Sequence, residues 1–379
     1  MASLMNSIEK DMPELLELLE ESVNKDSPSR NKALGDEIAN WYMQQFERLT
    51  GSRMRRLANE RYGDPLIGEV GNGSERILLL GHYDTVWPAG EAAKRPFAIK
   101  DGKVYGPGVY DMKCGLLQAM FAIKVLQDLR RLPADKTIAL FINSDEEIQS
   151  PSSREWIEQE AKAASAVFVL EPPMEPDGTL KTARKGSASY KMIIKGVSAH
   201  AGVDPQKGVS AIQELSYQIQ RLHGLTDYET GTTVNVGIVS GGRGANVVAD
   251  YAEADIDVRI MTMTEAERVD NIITTMQPVL PGASVTVIGG MTRPPMERSE
   301  EIAKLFQLAQ SIGTEEFQWK LGESSAGGVS DGNFTAACGT PTLDGLGTRG
   351  DFAHSPKEYV LLEDIPRRIA LLARLIERC

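Results

Sequence analysis

Residues Arg76 to Pro88 read RILLLGHYDTVWP, and the fold of the chain turns on how this stretch is taken. Ile77 to Leu80 is an unbroken apolar run, which predicts a short strand buried on both faces; a sheet with one wet face would show a polar residue at every second position. His82 and Asp84 follow at once. An imidazole and a carboxylate two residues apart, where a buried strand ends, suit a metal ligand and the group that orients it. Asp84 could accept the free ring N–H of His82, fixing the tautomer and leaving the other nitrogen for a cation. Taken alone, the pair also reads as ordinary turn residues. Other strands of the chain shift the balance.

Thr137 to Asn143, TIALFIN, is a second apolar run, and it ends in Ser144, Asp145, Glu146 and Glu147. Ala166 to Leu170 is a third, running straight into Glu171 and Pro172. Between the first two, YGPGVYDMK puts Asp111 at the end of a turn, before a helix whose apolar positions Leu116, Leu117, Met120, Ile123 and Leu126 face the core. By itself Asp111 could be no more than the N-cap of that helix. In open α/β sheets sites form in the crevice beyond the carboxyl ends of the strands, so His82, the pair Glu146 and Glu147, and Glu171 are expected to meet there.

A chain of 379 residues exceeds the usual size of one core, so two domains are expected. Leu15, Leu16, Leu18 and Leu19, then Ile38, Trp41, Tyr42 and Phe46, predict two opening helices. From Gly186 to Gly290 the order is strand, helix, strand, strand, helix, strand, the split βαβ pattern of a ferredoxin-like domain, with edge strands that could pair with a second copy. After it the chain returns to the first domain, with a helix from Glu300 to Ser311, the glycine-rich GGVSDGNF, a strand around Thr340 to Leu343, a loop containing His354 and a last helix from Asp364 to Glu377. The expected division is therefore 1–185 and 296–379 for a mixed-sheet α/β catalytic domain, with 186–295 inserted. A net charge of -12 argues against nucleic acid or an anionic membrane surface as partner. No apolar run approaches about twenty residues, so no transmembrane helix is expected. The acidic, amphipathic N-terminus lacks a signal pattern, which makes a cytoplasmic location the default. Three cysteines without paired spacing fit a reducing compartment and speak against a thiolate metal site.

If His82, Asp111, Glu147, Glu171 and His354 converge, one carboxylate can bridge two cations, each holding one further histidine and one further carboxylate. Such nitrogen and oxygen donors suit zinc, with open positions for water. A water between two such ions is acidified toward neutral pH. Glu146, beside a ligand but not needed as one, would be the general base that takes the water proton and delivers it to a leaving amine. The reaction class is amide hydrolysis.

In the order GHYDTVWP, YGPGVYDMK, SDEE, LEPP, GVSAHAG, GGRGANVVAD and FAHS, the chain resembles the M20 family of metallopeptidases and deacylases, in particular its glutamate carboxypeptidase branch. The resemblance implies two zinc ions, with cobalt or manganese as alternatives: one on His82, Asp111 and Glu171, the other on Asp111, Glu147 and His354. It further implies Asp84 as the group orienting His82 and Glu146 as the base. Residues 186–295 become a dimerisation or lid domain through which a homodimer forms. His200 is implied as a lid histidine reaching the partner subunit's site to stabilise the oxyanion. Asn246 and Arg293 would hold the carboxylate of the substrate's C-terminal residue, an Arg fork being suited to both its oxygens. Without the resemblance, His200 reads as a loop residue and Arg293 as a surface arginine before Pro294. Gly327 and Gly328 match a glycine pair where backbone approaches ligand.

Two departures bear on specificity and chemistry. Cys114 stands where the family commonly has glycine, and an exposed thiol there would make the site sensitive to oxidation. The lysine that recognises a glutamate side chain has no clean match; Thr179 falls near it, with Lys181, Arg184 and Lys185 close by. The sequence therefore predicts a dizinc hydrolase that removes a C-terminal amino acid, with glutamate the residue in question, from a small peptide or N-acyl substrate. The alternatives are a deacylase of the acetylornithine deacetylase or succinyl-diaminopimelate desuccinylase type, and an inert binding module, which would be expected to lack a ligand or the base.

Overall fold

The computed structural model describes residues 2–379. The apolar run becomes the strand Glu75–His82, in which Ile77, Leu78, Leu79 and Leu80 are fully buried. Alternate side chains enter different cores. Ile77 and Leu79 pack with the helices Ala2–Val23, Lys32–Thr50, Cys114–Asp128 and Ile365–Arg378, while Leu78 and Leu80 pack with Ile157 of the helix Arg154–Lys162 and Phe334 of the helix Gly332–Ala337. Helices on both faces are the reason no polar alternation is seen, and each such side chain contributes about 1.5–3 kcal/mol by leaving water.

Among the described residues, this strand belongs to a six-stranded mixed sheet in the order Met54–Arg56, Leu66–Gly71, Lys136–Asn143, Glu75–His82, Ala166–Val169, Thr342–Leu343. The last four run parallel and the first two antiparallel to their neighbours. His82 lies opposite Asn143 and Leu80 opposite Val169, so the loops that follow all three strands open on one edge of the sheet. Gly115 lets the helix behind them come close, since a Cβ there would stand 2.3 Å from the carbonyl oxygen of Leu170.

Several pieces of this architecture are not foreseen from the sequence, among them the strand Met54–Arg56 and a two-stranded sheet of Leu180–Arg184 with Glu323–Ala326. Leu66–Gly71 carries two glycines in six residues, and another sheet is built from Ala98–Lys100, Lys103–Tyr105, Gly350–Asp351 and Tyr359–Leu361. Strands of two or three residues are too short to show a period.

The chain divides into two compact units, one comprising residues through Ala183 with 298–326 and 330–379, the other 184–297 with 327–329. In the smaller unit the strands Gly186–Lys195, Thr233–Gly241, Tyr251–Ile260 and Ser284–Arg293 and the helices Ala211–His223 and Met263–Thr274 follow one another as βαββαβ. Its strands lie in the spatial order second, third, first, fourth, every neighbouring pair antiparallel. Ser210 and Thr262 cap its helices, each side-chain oxygen accepting from the backbone N–H three residues on.

Candidate metal centre

His82 ends its strand with a buried ring, and the register that pairs Leu80 with Val169 brings Glu171 beside it. The result is a pair of donor clusters. The donor atoms of His82, Glu146 and Glu171 lie within 4.8 Å of one another, as do those of Asp111, Glu147 and His354. Asp111 links the two. Its Oδ1 is 3.2 Å from His82 Nε2 and its Oδ2 is 3.3 Å from His354 Nε2. His82 Nε2 is also 3.5 Å from Glu171, and His354 Nε2 is 3.1 Å from Glu147.

Local structure accounts for each placement. Asp111 is not the N-cap of the following helix: its backbone is extended (φ -120°, ψ 92°), the helix Cys114–Asp128 starts three residues later, and its side chain faces the histidines. His82 Nδ1 is 2.9 Å from the backbone carbonyl of Asp84 and 3.4 Å from its carboxylate, so the expected orienting contact is made chiefly by the main chain. That contact leaves Nε2 turned to the cluster. The Asp84 carboxylate does something else. It accepts from the backbone N–H groups of Glu146 and Glu147, each at 3.1 Å, and from Ser29 Oγ at 2.6 Å. It thereby pins the turn that carries both glutamates.

Of the three consecutive acids, Asp145 faces inward, accepting from Ser153 Oγ and from the N–H and hydroxyl of Ser152. Behind the same turn Asn143 donates to Asp331. Sequence reading missed Ser29, Asp331 and the buried Glu358, whose carboxylate accepts from the backbone of Asp111. Each is a lone polar residue with no local pattern, and only long-range pairing reveals it.

Charge in the cluster is unbalanced. Asp84, Asp111, Glu146, Glu147 and Glu171 face two imidazoles. Burial works to lower the pKa of His82, but hydrogen bonds to Asp111, Asp84 and Glu171 outweigh it and hold the imidazole well above its ordinary range. Asp111 and Glu147 push His354 up to about 11. Burial and the neighbouring Asp111 raise Glu147 to about 7, whereas Asp111 itself, despite burial, is held far below the usual carboxylate range by the two histidines. Glu147 Oε1 is buried without a hydrogen-bond partner among the described residues. A divalent cation fits this arrangement. Donors about 2.0–2.2 Å from a tetrahedral zinc ion are roughly 3.4 Å apart, and the four imidazole–carboxylate separations are 3.1 to 3.5 Å.

Cys114 is buried, its Sγ 3.4 Å from Thr348 Oγ1, and burial pushes the thiol up to about 12. The expected oxidation sensitivity does not follow, because neither access nor thiolate is present. The other predicted residues belong to the smaller unit. His200 and Asn246 are exposed there and brought together, since Ala201 N–H donates to the carbonyl of Asn246. Arg293 is fully buried at the end of its strand, so it is not a surface arginine. Gly327 and Gly328 are exposed; a Cβ at either would meet nothing within 4 Å, so packing within the chain does not require glycine there.

Comparison with known proteins bears on this geometry. Residues 78–378 match the peptidase family M20/M25/M40. The chain is 34% identical over 321 residues to carboxypeptidase G2 of Pseudomonas sp. (strain RS-16), covering 83% of this chain and 76% of that protein. It is 30% identical over 266 residues to acetylornithine deacetylase of Proteus mirabilis, covering 66% of each. Among solved structures, aminopeptidase PepT of Bacillus cereus superposes with a TM-score of 0.80 at 25% identity, over 97% of this chain and 98% of that one. An M20 family metallo-carboxypeptidase of Sulfolobus solfataricus superposes at 0.73 with 17% identity, over 96% and 98%, a likeness of fold.

Proposed function

The chain belongs to peptidase family M20/M25/M40 and is a metal-dependent hydrolase; from that premise we propose that it is a two-metal amidohydrolase releasing a C-terminal amino acid, with glutamate the residue to test first, from a small peptidyl or N-acyl substrate. The observation that carries this reading is the Asp111 carboxylate, whose two oxygens each face a different histidine. His82, Asp111 and Glu171 would hold one ion and Asp111, Glu147 and His354 the other. Zinc suits such a donor set, with cobalt or manganese as substitutes. When bound, the ions would polarise the scissile carbonyl and acidify the attacking water.

The chain's own groups do the rest. His82 Nδ1–H would donate a hydrogen bond to the backbone carbonyl of Asp84, an arrangement that keeps Nε2 a lone-pair donor. Glu146, its backbone held by Asp84, takes a proton from the attacking water on its carboxylate and passes it to the nitrogen that leaves as the C–N bond breaks. The products are a carboxylate and an amine. For the smaller unit the resemblance supports His200 as an oxyanion donor, acting in a partner's site within a homodimer. It also supports Asn246 and Arg293 on the substrate carboxylate, with Gly327 and Gly328 beside the substrate.

The broader coverage by carboxypeptidase G2 favours this reading over a deacetylase. Hydrolysis of a panel of N-acyl amino acids tests it. Turnover is expected to depend on a free C-terminal carboxylate and to tolerate large acyl groups. Preference for acetyl or succinyl groups with indifference to C-terminal glutamate would instead identify a deacylase.

A further inference from the structure

Glu358 lies four residues after His354 and is 1% exposed. Its carboxylate collects four N–H donors and shares them evenly. Oε1 accepts from the backbone of Tyr110 at 2.9 Å and of Asp111 at 3.2 Å, while Oε2 accepts from the backbone of Gly108 at 3.0 Å and from Trp87 Nε1 at 3.1 Å. The backbone N–H of Glu358 in turn donates to the carbonyl of Ser355, next to His354. One side chain therefore ties together three loops: the one that leaves the His82 strand, the one that presents Asp111, and the one that presents His354. Arg95 braces the same junction, its guanidinium 4.2 Å over the Trp87 ring and its Nη1 donating to the carbonyl of Pro356. The brace matters because both metal-facing loops lack regular secondary structure at the ligand. Asp111 sits in extended backbone, and His354 has a left-handed φ of 61°, a conformation that needs outside support in a residue with a side chain.

We propose that Glu358 is a positioning residue of the metal centre, fixing the bridging carboxylate Asp111 against His354 without touching metal or substrate itself. Each of the two oxygens faces two N–H groups, so both must accept; burial raises the pKa of the Glu358 carboxyl, and the N–H groups of Gly108, Asp111 and Tyr110 work against that rise. A glutamine keeps the shape and loses the function. It turns one of the two acceptor oxygens into an NH2 that confronts two N–H groups, and the loop carrying Asp111 must give way.

This role rests on the two-ion reading above, and the experiment separates the two. Zinc is titrated calorimetrically into the chelator-treated full chain, wild type and Glu358→Gln, and visible spectra are taken of the cobalt-loaded forms. Loss of an outer support for a ligand costs about 10–100-fold in metal affinity, so at least one of the two zinc ions is expected to weaken by that factor in Glu358→Gln. The cobalt bands should shift, and kcat should recover with added zinc while KM for substrate stays put. A folded Glu358→Gln with unchanged zinc affinities and an unchanged cobalt spectrum overturns the proposal even if its thermal stability falls, because a mere buttress moves stability alone. Should Glu358→Gln not fold, Glu358→Asp, which keeps the charge but withdraws it by one methylene, carries the same titration with the same two outcomes. Wild-type protein that binds no zinc ends both readings, whereas two bound ions and an indifferent Glu358→Gln end only this one.

Discussion

Glu146 and Glu147 are neighbours in sequence with different surroundings. Glu147 meets His354 at 3.1 Å and has a buried orphan oxygen, as a ligand would, while Glu146 falls in the cluster with His82 and Glu171. If Glu146 is the base, Glu146→Gln should bind both metals and lose about two to four orders of magnitude in turnover, the usual scale of acid–base assistance. Metal content and kcat measured on the same sample decide it, and wild-type turnover would remove the assignment. The histidines make a second prediction. Without metal His354 is pushed up to about 11 and His82 is held well above its ordinary range, so both imidazoles are protonated at neutral pH. A ligand imidazole must be neutral. Metal binding should therefore release about two protons from these rings at pH 7 and part of a further one from Glu147, and affinity should strengthen as pH rises, by roughly tenfold per pH unit for each proton displaced. Calorimetry in buffers of different ionisation enthalpy counts the protons; a count near zero would contradict it.

At the scale of elements, the site is a meeting of strand ends and the turns after them. Asp84 joins two of these by accepting from the backbone of Glu146 and Glu147. In Asp84→Asn one acceptor becomes a donor facing N–H or O–H groups, so the variant should lose about 10–100-fold in metal affinity or activity, the cost of an outer support. Ser29→Ala removes only one of three donors to a carboxylate. It should cost about 1.5–3 kcal/mol of stability, the worth of a hydrogen bond to a charged group, and leave kcat near wild type. Thermal unfolding and steady-state rates on both variants distinguish turn-holding from solvation. A Ser29→Ala variant as inactive as Asp84→Asn would mean the hydroxyl has chemistry of its own. The strands were legible because Ile77 to Leu80, Thr137 to Asn143 and Ala166 to Leu170 are apolar and abrupt. The small sheet of two- and three-residue strands was not, and it is this sheet that carries Asp351 and Tyr359 on either side of the His354 loop.

The larger of the two units holds the candidate metal-donor clusters, and the βαββαβ unit holds His200, Asn246 and Arg293. Among the described residues no helix is long and apolar enough to cross a membrane. The outer strands of the smaller unit expose Ile238, Val239 and Ile288, apolar surface on edges where a second copy could pair. If sites are shared across such a dimer, mixing a His200→Ala chain with a Glu146→Gln chain should restore activity, up to about a quarter of wild type when chains assort at random and one site in each heterodimer is intact. Tagged heterodimers assayed after purification give the answer. An inactive heterodimer would confine His200 to its own subunit's site, whereas a His200→Ala homodimer as active as wild type would leave it no role.

The order of motifs along the chain was enough for the family, the mixed-sheet α/β class and the acids and histidines that the fold gathers into two donor clusters, because buried parallel strands and their terminal acids and histidines leave a local signature. Tertiary structure alone decided how that site is held. Asp84 supports a turn 62 residues away and Glu358 a loop 247 residues away. Such contacts depend on which chain ends the sheet register and the loop packing bring together, and no spacing in the sequence encodes them.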